Sequence, residues 1–180
     1  MKRWNFLVAG FLIMVACALL THPAPANGSK GKRMVLEGKI SLGGNEDYSF
    51  TAEFEPILFR ILTFQKKYRV IRININNKSQ QPLQLSLQKD AVQFRADGRT
   101  VTGILDIAGR DPSLWNPLPP ELRNALAYPD QAPIKAHEEE NVFVFVPEAD
   151  LWAFPQEIQF KIDSCPKSPV LLRNRLAMKK

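Results

Sequence analysis

Apolar and polar residues alternate over most of the chain that follows residue 34. In the segment YRVIRININNKSQQPLQLSLQ, residues 68–88, every second residue is apolar in two runs, Ile71–Ile75 and Leu83–Leu87. When apolar residues recur with a period of two, alternate side chains lie on opposite faces of a β-strand. The intervening polar residues are mostly neutral Asn, Gln and Ser, which is typical of the solvated face of an antiparallel sheet. We therefore expect two core-forming strands joined by a turn at Asn77–Pro82.

The same patterning predicts eight or nine short strands and no long amphipathic helix. Asp97-Gly98 predicts a hairpin, because glycine readily adopts the positive φ that such turns require. Residues 57–64 are mostly apolar at both odd and even positions and could form a strand buried on both faces or a short helix; we favour the strand. The further predicted strands are 34–41, 48–55, 92–96, 100–107, 142–146 and 158–163. These features indicate an all-β fold built as an antiparallel sandwich.

One long segment interrupts the alternation, GRDPSLWNPLPPELRNALAYPDQAPIKAHEEEN, Gly109–Asn141, which contains six prolines. Only Glu121–Ala127 is expected to be helical, and Pro119 and Pro120 suit the first turn of that helix. Structureless connections of this length are uncommon unless they cap a core or serve a function. We therefore predict a long Pro-rich insertion that carries one short helix.

Four stretches resemble a known family: ININNKSQQPLQLS (73–86), VQFRADGRTV (92–101), FVFVP (143–147) and IQFKIDS (158–164). Their Asn-x-Ser turn, Asp-Gly hairpin and Phe-x-Val-Pro strand end are similar to the exported bacterial immunoglobulin-like domains of unknown function. The resemblance covers about residues 68–164 and implies an immunoglobulin-like β-sandwich. It implies no catalytic residue and no substrate.

Residues 1–26 have the three parts of a secretory signal peptide. Lys2 and Arg3 precede an apolar run, Phe6–Leu20, and Ala24 and Ala26 then form a small-x-small cleavage site. The run of about 15 residues is shorter than the roughly 20 that span a bilayer, so an uncleaved anchor is the weaker alternative. We expect an exported protein, periplasmic or extracellular, cleaved after Ala26.

Two cysteines raise further alternatives. Met14-Val15-Ala16-Cys17 loosely resembles a lipoprotein box, in which Cys17 would be lipidated, although Met14 and the apolar residues after Cys17 do not fit well. Removal of the signal leaves Cys165 as a single thiol, which could be structural or could form an intermolecular disulfide.

Charge is distributed unevenly along the chain, which has a formal net charge of +6. Residues 34–163 contain 14 basic and 18 acidic residues, so this part is mildly acidic and the positive charge lies in the two ends. We divide the chain into a flexible basic N-terminus (27–33), a sandwich domain (34–164, insertion 109–141) and a basic C-terminal tail (165–180). A domain without a basic body is a poor nucleic-acid binder.

Residues that could catalyse a reaction or hold a metal are few. His137 is the one histidine outside the signal, and neither metal-ligand spacing nor a phosphate-binding glycine loop accompanies it. Glu138–Glu140 is expected to be a solvated acidic run. We therefore predict no cofactor, no metal and no enzymatic activity, although a pair of carboxylates could still serve a hydrolase.

Aromatic residues in connections are the remaining candidates for contact with a partner: Trp115, Tyr128, Trp152 and Phe154. The alternative is that they close the open ends of the sandwich. The sequence thus predicts an exported, non-catalytic binding or assembly module of the cell envelope, with an unknown protein or envelope polymer as partner. Contact with the membrane is expected only through the signal peptide or a lipid anchor. A structural envelope-accessory domain without a discrete ligand and a carboxylate-dependent hydrolase are the alternatives.

Overall fold

A computed structural model describes residues 35–41, 46–54, 67–96, 98–147, 150 and 155–174. The predicted signal peptide with Ala24, Ala26 and Cys17, the basic segment 27–33 and the strand predicted at 57–64 lie outside these residues, as do Trp152 and Phe154. The elements in chain order are β1 (Leu36–Ser41), β2 (Glu46–Phe54), β3 (Tyr68–Asn77), β4 (Ala91–Ala96), β5 (Arg99–Thr102), α1 (Ile107–Arg110), α2 (Pro112–Trp115), α3 (Pro120–Leu126), β6 (Glu139–Pro147), β7 (Glu157–Lys161) and β8 (Val170–Asn174).

The prediction of an all-β, antiparallel fold is confirmed. Hydrogen bonds join the eight strands into one sheet with the order β5-β4-β7-β8-β1-β2-β3-β6, in which each neighbouring pair is antiparallel. Ala96 of β4 pairs with Arg99 of β5, as the predicted hairpin requires, and Gly98 has a φ of 76°, while Asp97 lies outside the described residues. A two-sheet sandwich was expected, whereas these strands form one continuous hydrogen-bonded ladder.

The sheet curls until the two strands at the ends of the sheet order, β5 and β6, approach each other. Just after β5, Ile104 N donates to Phe145 O at 2.8 Å, and Phe145 N donates to Ile104 O at 3.0 Å. Gly103 makes this approach possible, because a Cβ at that position would lie 2.7 Å from Phe94 Cε2 and even closer to Val144 Cγ1. The curled sheet therefore encloses one core between strands that are distant in the ladder.

The inner face of the sheet carries the apolar positions that the alternation predicted. Ile71, Ile73 and Ile75 of β3 are each 0% exposed, and they share a core with buried residues of β1, β2, β4, β6, β7 and β8. Burial of a side chain of this size contributes roughly 1.5–3 kcal/mol before conformational entropy is subtracted. This core is the main source of stability for the fold.

The strand predicted at Leu83–Leu87 is wrong; of its three expected core positions, Leu83 and Leu85 are buried and Leu87 is partly buried. Leu83 and Leu85 are buried, but the segment pairs through a single bridge between Leu83 and Ile134 and then turns. The turn is closed by hydrogen bonds from Lys89 N and Asp90 N to Ser86 O. The partner of this segment is thus the connection around Ile134 and not β3, which is why alternation continues without a strand.

The predicted basic tail contains a strand. β8 lies between β7 and β1, with Val170 and Leu172 buried against the core and Leu171 and Arg173 exposed. The strand has only five residues and lies among basic residues. The segment was therefore interpreted as a charged tail, and its short alternation was not recognised as a strand. Residues 175–180 lie outside the described part of the chain.

Three short helices, not the single predicted one, form an outer layer (residues 107–126) on the outward face of β3 and β6. Asp106 and Asp111 cap α1 and α2 by accepting from Gly109 N and Leu114 N, and α3 begins at Pro120 as the double proline predicted. The layer and the strands beneath it share a second apolar cluster: Val70, Ile107, Leu114, Leu126 and Phe145, with Tyr68, Ile104, Trp115, Leu118, Leu122 and Phe143 packed against them. Because of this layer, the part of β3 around Val70 and the part of β6 around Phe145 are covered on both faces.

Candidate functional site

A hydrogen-bonded corner ends β3. Asn77 is 0% exposed, and its Nδ2 donates to Gln81 O at 2.8 Å and to Ile134 O at 3.0 Å. Its Oδ1 accepts from Ser79 N at 3.0 Å and from Ser79 Oγ at 2.7 Å. His137, with a φ of 64°, donates its backbone N–H to Asn77 O at 2.7 Å. The predicted turn is confirmed, and it also fixes the chain that leads into β6.

Asp90 lies at a second junction, where it is 7% exposed. Its Oδ2 accepts from Ser86 N and from the Tyr128 hydroxyl, each at 2.7 Å, and its Oδ1 accepts from Asp163 N at 2.8 Å. Burial and the neighbouring Asp90 carboxylate raise the pKa of Tyr128, so this hydroxyl keeps its proton and donates. One carboxylate thereby ties together the turn before β4, the connection just after α3 and the residues after β7.

A groove of about 530 Å³ lies beside these junctions, and we call it the insertion groove. Asn124 and Ala125 of α3 line one side, Tyr128 and Ile134 lie in the connection that follows, and Glu138–Asn141 lines the other side. The volume falls in the range of pockets that take small ligands or short peptide segments. The bonds of Tyr128 to Asp90, of Leu83 to Ile134 and of His137 to Asn77 hold its walls in place.

The electrostatic character of the insertion groove is set by Glu138, Glu139 and Glu140. Glu138 lies 3.6 Å from Lys135 Nζ in an exposed ion pair, and Glu139 Oε1 accepts from Asn76 Nδ2 at 2.5 Å. Lys135 is the one basic residue among those that the structure places along the groove. The wall formed by β6 is therefore acidic and suits a partner that carries positive charge.

Of the four aromatic residues predicted as contacts, Trp115 and Tyr128 lie in the described part of the chain, and these two belong to different apolar clusters. Trp115 is half-buried and packs in the outer-layer cluster, while Tyr128 is 8% exposed and belongs to the main core. Burial leaves little of the Tyr128 ring for a partner, and its hydroxyl already bonds Asp90. Sequence reasoning did not identify Asp90 or the acidic wall as parts of a site. The Glu138–Glu140 run was the available signal, and it was interpreted only as solvated.

Cys165 lies inside the fold, with 4% of its surface exposed. Burial, and to a lesser extent the charge of Asp90, raise the pKa of its thiol to about 11. Since the thiolate is the reactive form, both effects lower reactivity. Its burial also leaves little room for the intermolecular disulfide considered above.

We expect Cys165 in a Cys17→Ser background to react with a thiol reagent at least about tenfold more slowly than an unfolded thiol at pH 8. The measurement is the labelling rate with a chromogenic disulfide reagent, and the same variant in denaturant provides the control. Equal rates in the two states, or a disulfide-linked dimer on non-reducing gels, would contradict the burial described here.

Among the described residues, no cluster of His, Cys, Asp and Glu has the arrangement of a metal site. No helix of the described part has the length and apolar character of a membrane span. Comparison of the chain with protein-family models, with curated proteins and with solved structures found no match. A functional assignment therefore depends on the geometry of this chain.

Proposed function

We propose that the chain is an exported, non-catalytic binding or assembly module of the cell envelope, periplasmic or extracellular, and that the insertion groove receives its partner. The observation behind this proposal is the groove itself. It is concave, and it lies on the Pro-rich segment, which the eight-stranded sheet does not need for its hydrogen-bonded ladder. The N-terminal sequence pattern is the support for export.

Rigidity supports a binding role for the insertion groove. Its walls come from different parts of the chain, yet Asp90, Asn77 and the Leu83–Ile134 bridge hold them in one arrangement. A site that is formed before binding loses less conformational entropy when a partner arrives. A connection that only linked α3 to β6 would not need this set of buried bonds.

Charge narrows the kind of partner. Glu138 and Glu140 face the groove with a single lysine nearby, so we expect a protein segment or envelope polymer with positively charged groups. The interaction should weaken as salt concentration rises, because exposed charges are screened.

We also propose that the fold is an immunoglobulin-like sandwich, closed at one side, and that the chain is related to the exported bacterial domains it resembles. Support comes from the two halves of the curled sheet, since Phe50 and Ile73 on one half share a core with Phe94 and Phe160 on the other. A pair of apolar faces pressed together is the defining feature of sandwiches.

Site-specific photo-crosslinking in the producing organism tests the proposal. A benzoylphenylalanine at Ala125, exposed on the groove, should give one discrete adduct in the envelope fraction. The same probe at Leu171, which is exposed on β8 and is not among the residues that line the groove, is the matched control. Equal adducts from both positions, no adduct from Ala125, or recovery of the chain in the cytosol would contradict the proposal.

Deletion of the insertion would be a poorer test than a point probe. The outer layer covers Val70 and Phe145, and Tyr128 completes the bonding of Asp90, so we expect its removal to unfold the chain. The same packing favours the second candidate, a structural envelope-accessory domain without a discrete ligand. In that case Ala125 would give no adduct while the chain still fractionates with the envelope.

A further inference from the structure

A second surface lies where the curled sheet closes incompletely. Ile104 and Phe145 are bridged, but beyond them β5 and the end of β6 separate around an open groove of about 540 Å³. Thr100–Ile104 line one side, and Arg110, Pro147 and Asp150 line the other parts. We call this groove the seam.

The backbone of β5 directs hydrogen-bonding groups into the seam. Gly103 N donates to Val92 O at 2.8 Å, so the backbone groups of Gly103 point towards β4. Ile104 N donates to Phe145 O at 2.8 Å, so the backbone groups of Ile104 point towards β6. Backbone groups alternate in direction along a strand, and therefore those of Thr102 and Thr100 point away from β4. Within the described residues, neither threonine amide forms a backbone hydrogen bond across the seam.

Pro147 accounts for the place where the closure stops. If the antiparallel register of Ile104 with Phe145 continued, Thr102 would lie opposite Pro147. Proline has no N–H to donate to the Thr102 carbonyl, so one of the two hydrogen bonds of that pair cannot form. The result is a strand edge with two residues, Thr100 and Thr102, whose amides and carbonyls can still pair.

The charged side chains around the seam indicate which kind of partner strand it would accept. Arg99 and Arg110 are exposed at or beside the seam, and Asp150 is the one acidic residue among those that line it in the described part of the chain. A second copy of this chain would bring another positive edge against the first, which is unfavourable. A peptide with carboxylates at alternate positions would match both the ladder and the charge.

We propose that the β5 edge accepts an extended, acidic segment of a partner protein as an additional antiparallel strand. Backbone hydrogen bonds to Thr100 and Thr102 provide the affinity, and Arg99 and Arg110 select for acidic side chains. This site is separate from the insertion groove and does not depend on the function proposed for that groove.

The test measures binding of a fluorescent, end-blocked peptide of alternating Glu and Val residues to the full chain by anisotropy. Thr102→Pro removes the amide that faces the seam and leaves the β4–β5 ladder intact, since proline is tolerated at an edge position of this kind. Thr102→Val keeps the amide and is the matched control. We expect the affinity to fall about tenfold or more in Thr102→Pro and to be unchanged in Thr102→Val.

Two further comparisons make the outcome decisive. A peptide with Lys in place of Glu, and an acidic peptide methylated at alternate backbone nitrogens, should both bind at least about tenfold more weakly. Equal binding by Thr102→Pro and Thr102→Val, equal binding of the methylated peptide, or no binding of the acidic peptide at about 1 mM would overturn the proposal. A dimer that Thr102→Pro dissociates would overturn it as well, because the edge would then pair with a second copy.

Discussion

The Gly103→Ala variant is expected to lose about 3 kcal/mol of the free energy of unfolding. The added methyl would lie 2.7 Å from Phe94 Cε2 and closer still to Val144 Cγ1. Both neighbours are 0% exposed and belong to the main core, so neither can move without disturbing other packed residues. The strain falls where the sheet closes, and the Ile104–Phe145 bridge should therefore open.

Urea denaturation measures this loss, and hydrogen exchange at the Ile104 and Phe145 amides locates it. Gly98→Ala is the control, because Gly98 has nothing within 4 Å of the added methyl and its cost comes only from a φ of +76°. That cost should be about 1 kcal/mol. If Gly103→Ala were no more destabilising than Gly98→Ala, the close approach of β5 to β6 would not exist in solution.

Asp90→Ala should destabilise the chain to a similar extent, by about 3 kcal/mol or more. The substitution leaves two backbone amides, of Ser86 and Asp163, and the Tyr128 hydroxyl without their acceptor. A buried donor that loses its partner costs about 1–3 kcal/mol; the bond of the Tyr128 hydroxyl is buried, and those of the two amides are partly buried. The loss should also release the connection that lines the insertion groove, since Tyr128 anchors it.

Two milder variants separate these contributions in the same denaturation experiment. Tyr128→Phe removes one of the three bonds and should cost about 1 kcal/mol, while Asp90→Asn keeps the shape of the side chain but turns one acceptor into a donor. We expect the order Tyr128→Phe, then Asp90→Asn, then Asp90→Ala in increasing destabilisation. An Asp90→Ala variant as stable as Tyr128→Phe would mean that the carboxylate does not hold the three segments together.

Alternation in the sequence was sufficient to predict the class of fold and most of the core. Ile71, Ile73 and Ile75 are buried as predicted, and so are Leu83 and Leu85, although the latter pair lies outside a regular strand. Burial follows from side-chain periodicity, but strand assignment also requires a neighbouring backbone. Leu83 finds its partner in Ile134, which is 51 positions later and whose position no local pattern reveals.

The closure of the sheet and the outer layer could not be predicted for a related reason. They depend on contacts between residues far apart in sequence, such as Gly103 with Val144 and Val70 with the short helices. Four-residue helices such as α1 and α2 have too few positions to show a period. Pro119 and Pro120 gave a local signal, and the helix they predicted is present.

The candidate site was predicted only in its location. Interpretation of the long Pro-rich segment as a capping or functional element led to the region of the insertion groove, but aromatic residues were expected to provide the contacts. Tyr128 is buried because its hydroxyl reaches Asp90, which is 38 residues away in the chain. A buried acceptor of this kind has no signature in a single sequence.

The position of β8 has a consequence for how the molecule is made. This strand joins β7 to β1 in the centre of the sheet, and of the eight described strands it is the last to leave the ribosome. Without it, β1, β2, β3 and β6 would form one hydrogen-bonded ribbon and β4, β5 and β7 another, linked only by the bridge between Ile104 and Phe145 and by the shared core. A chain that stops before Val170 is therefore expected to lack the strand that joins the two halves at the centre of the sheet.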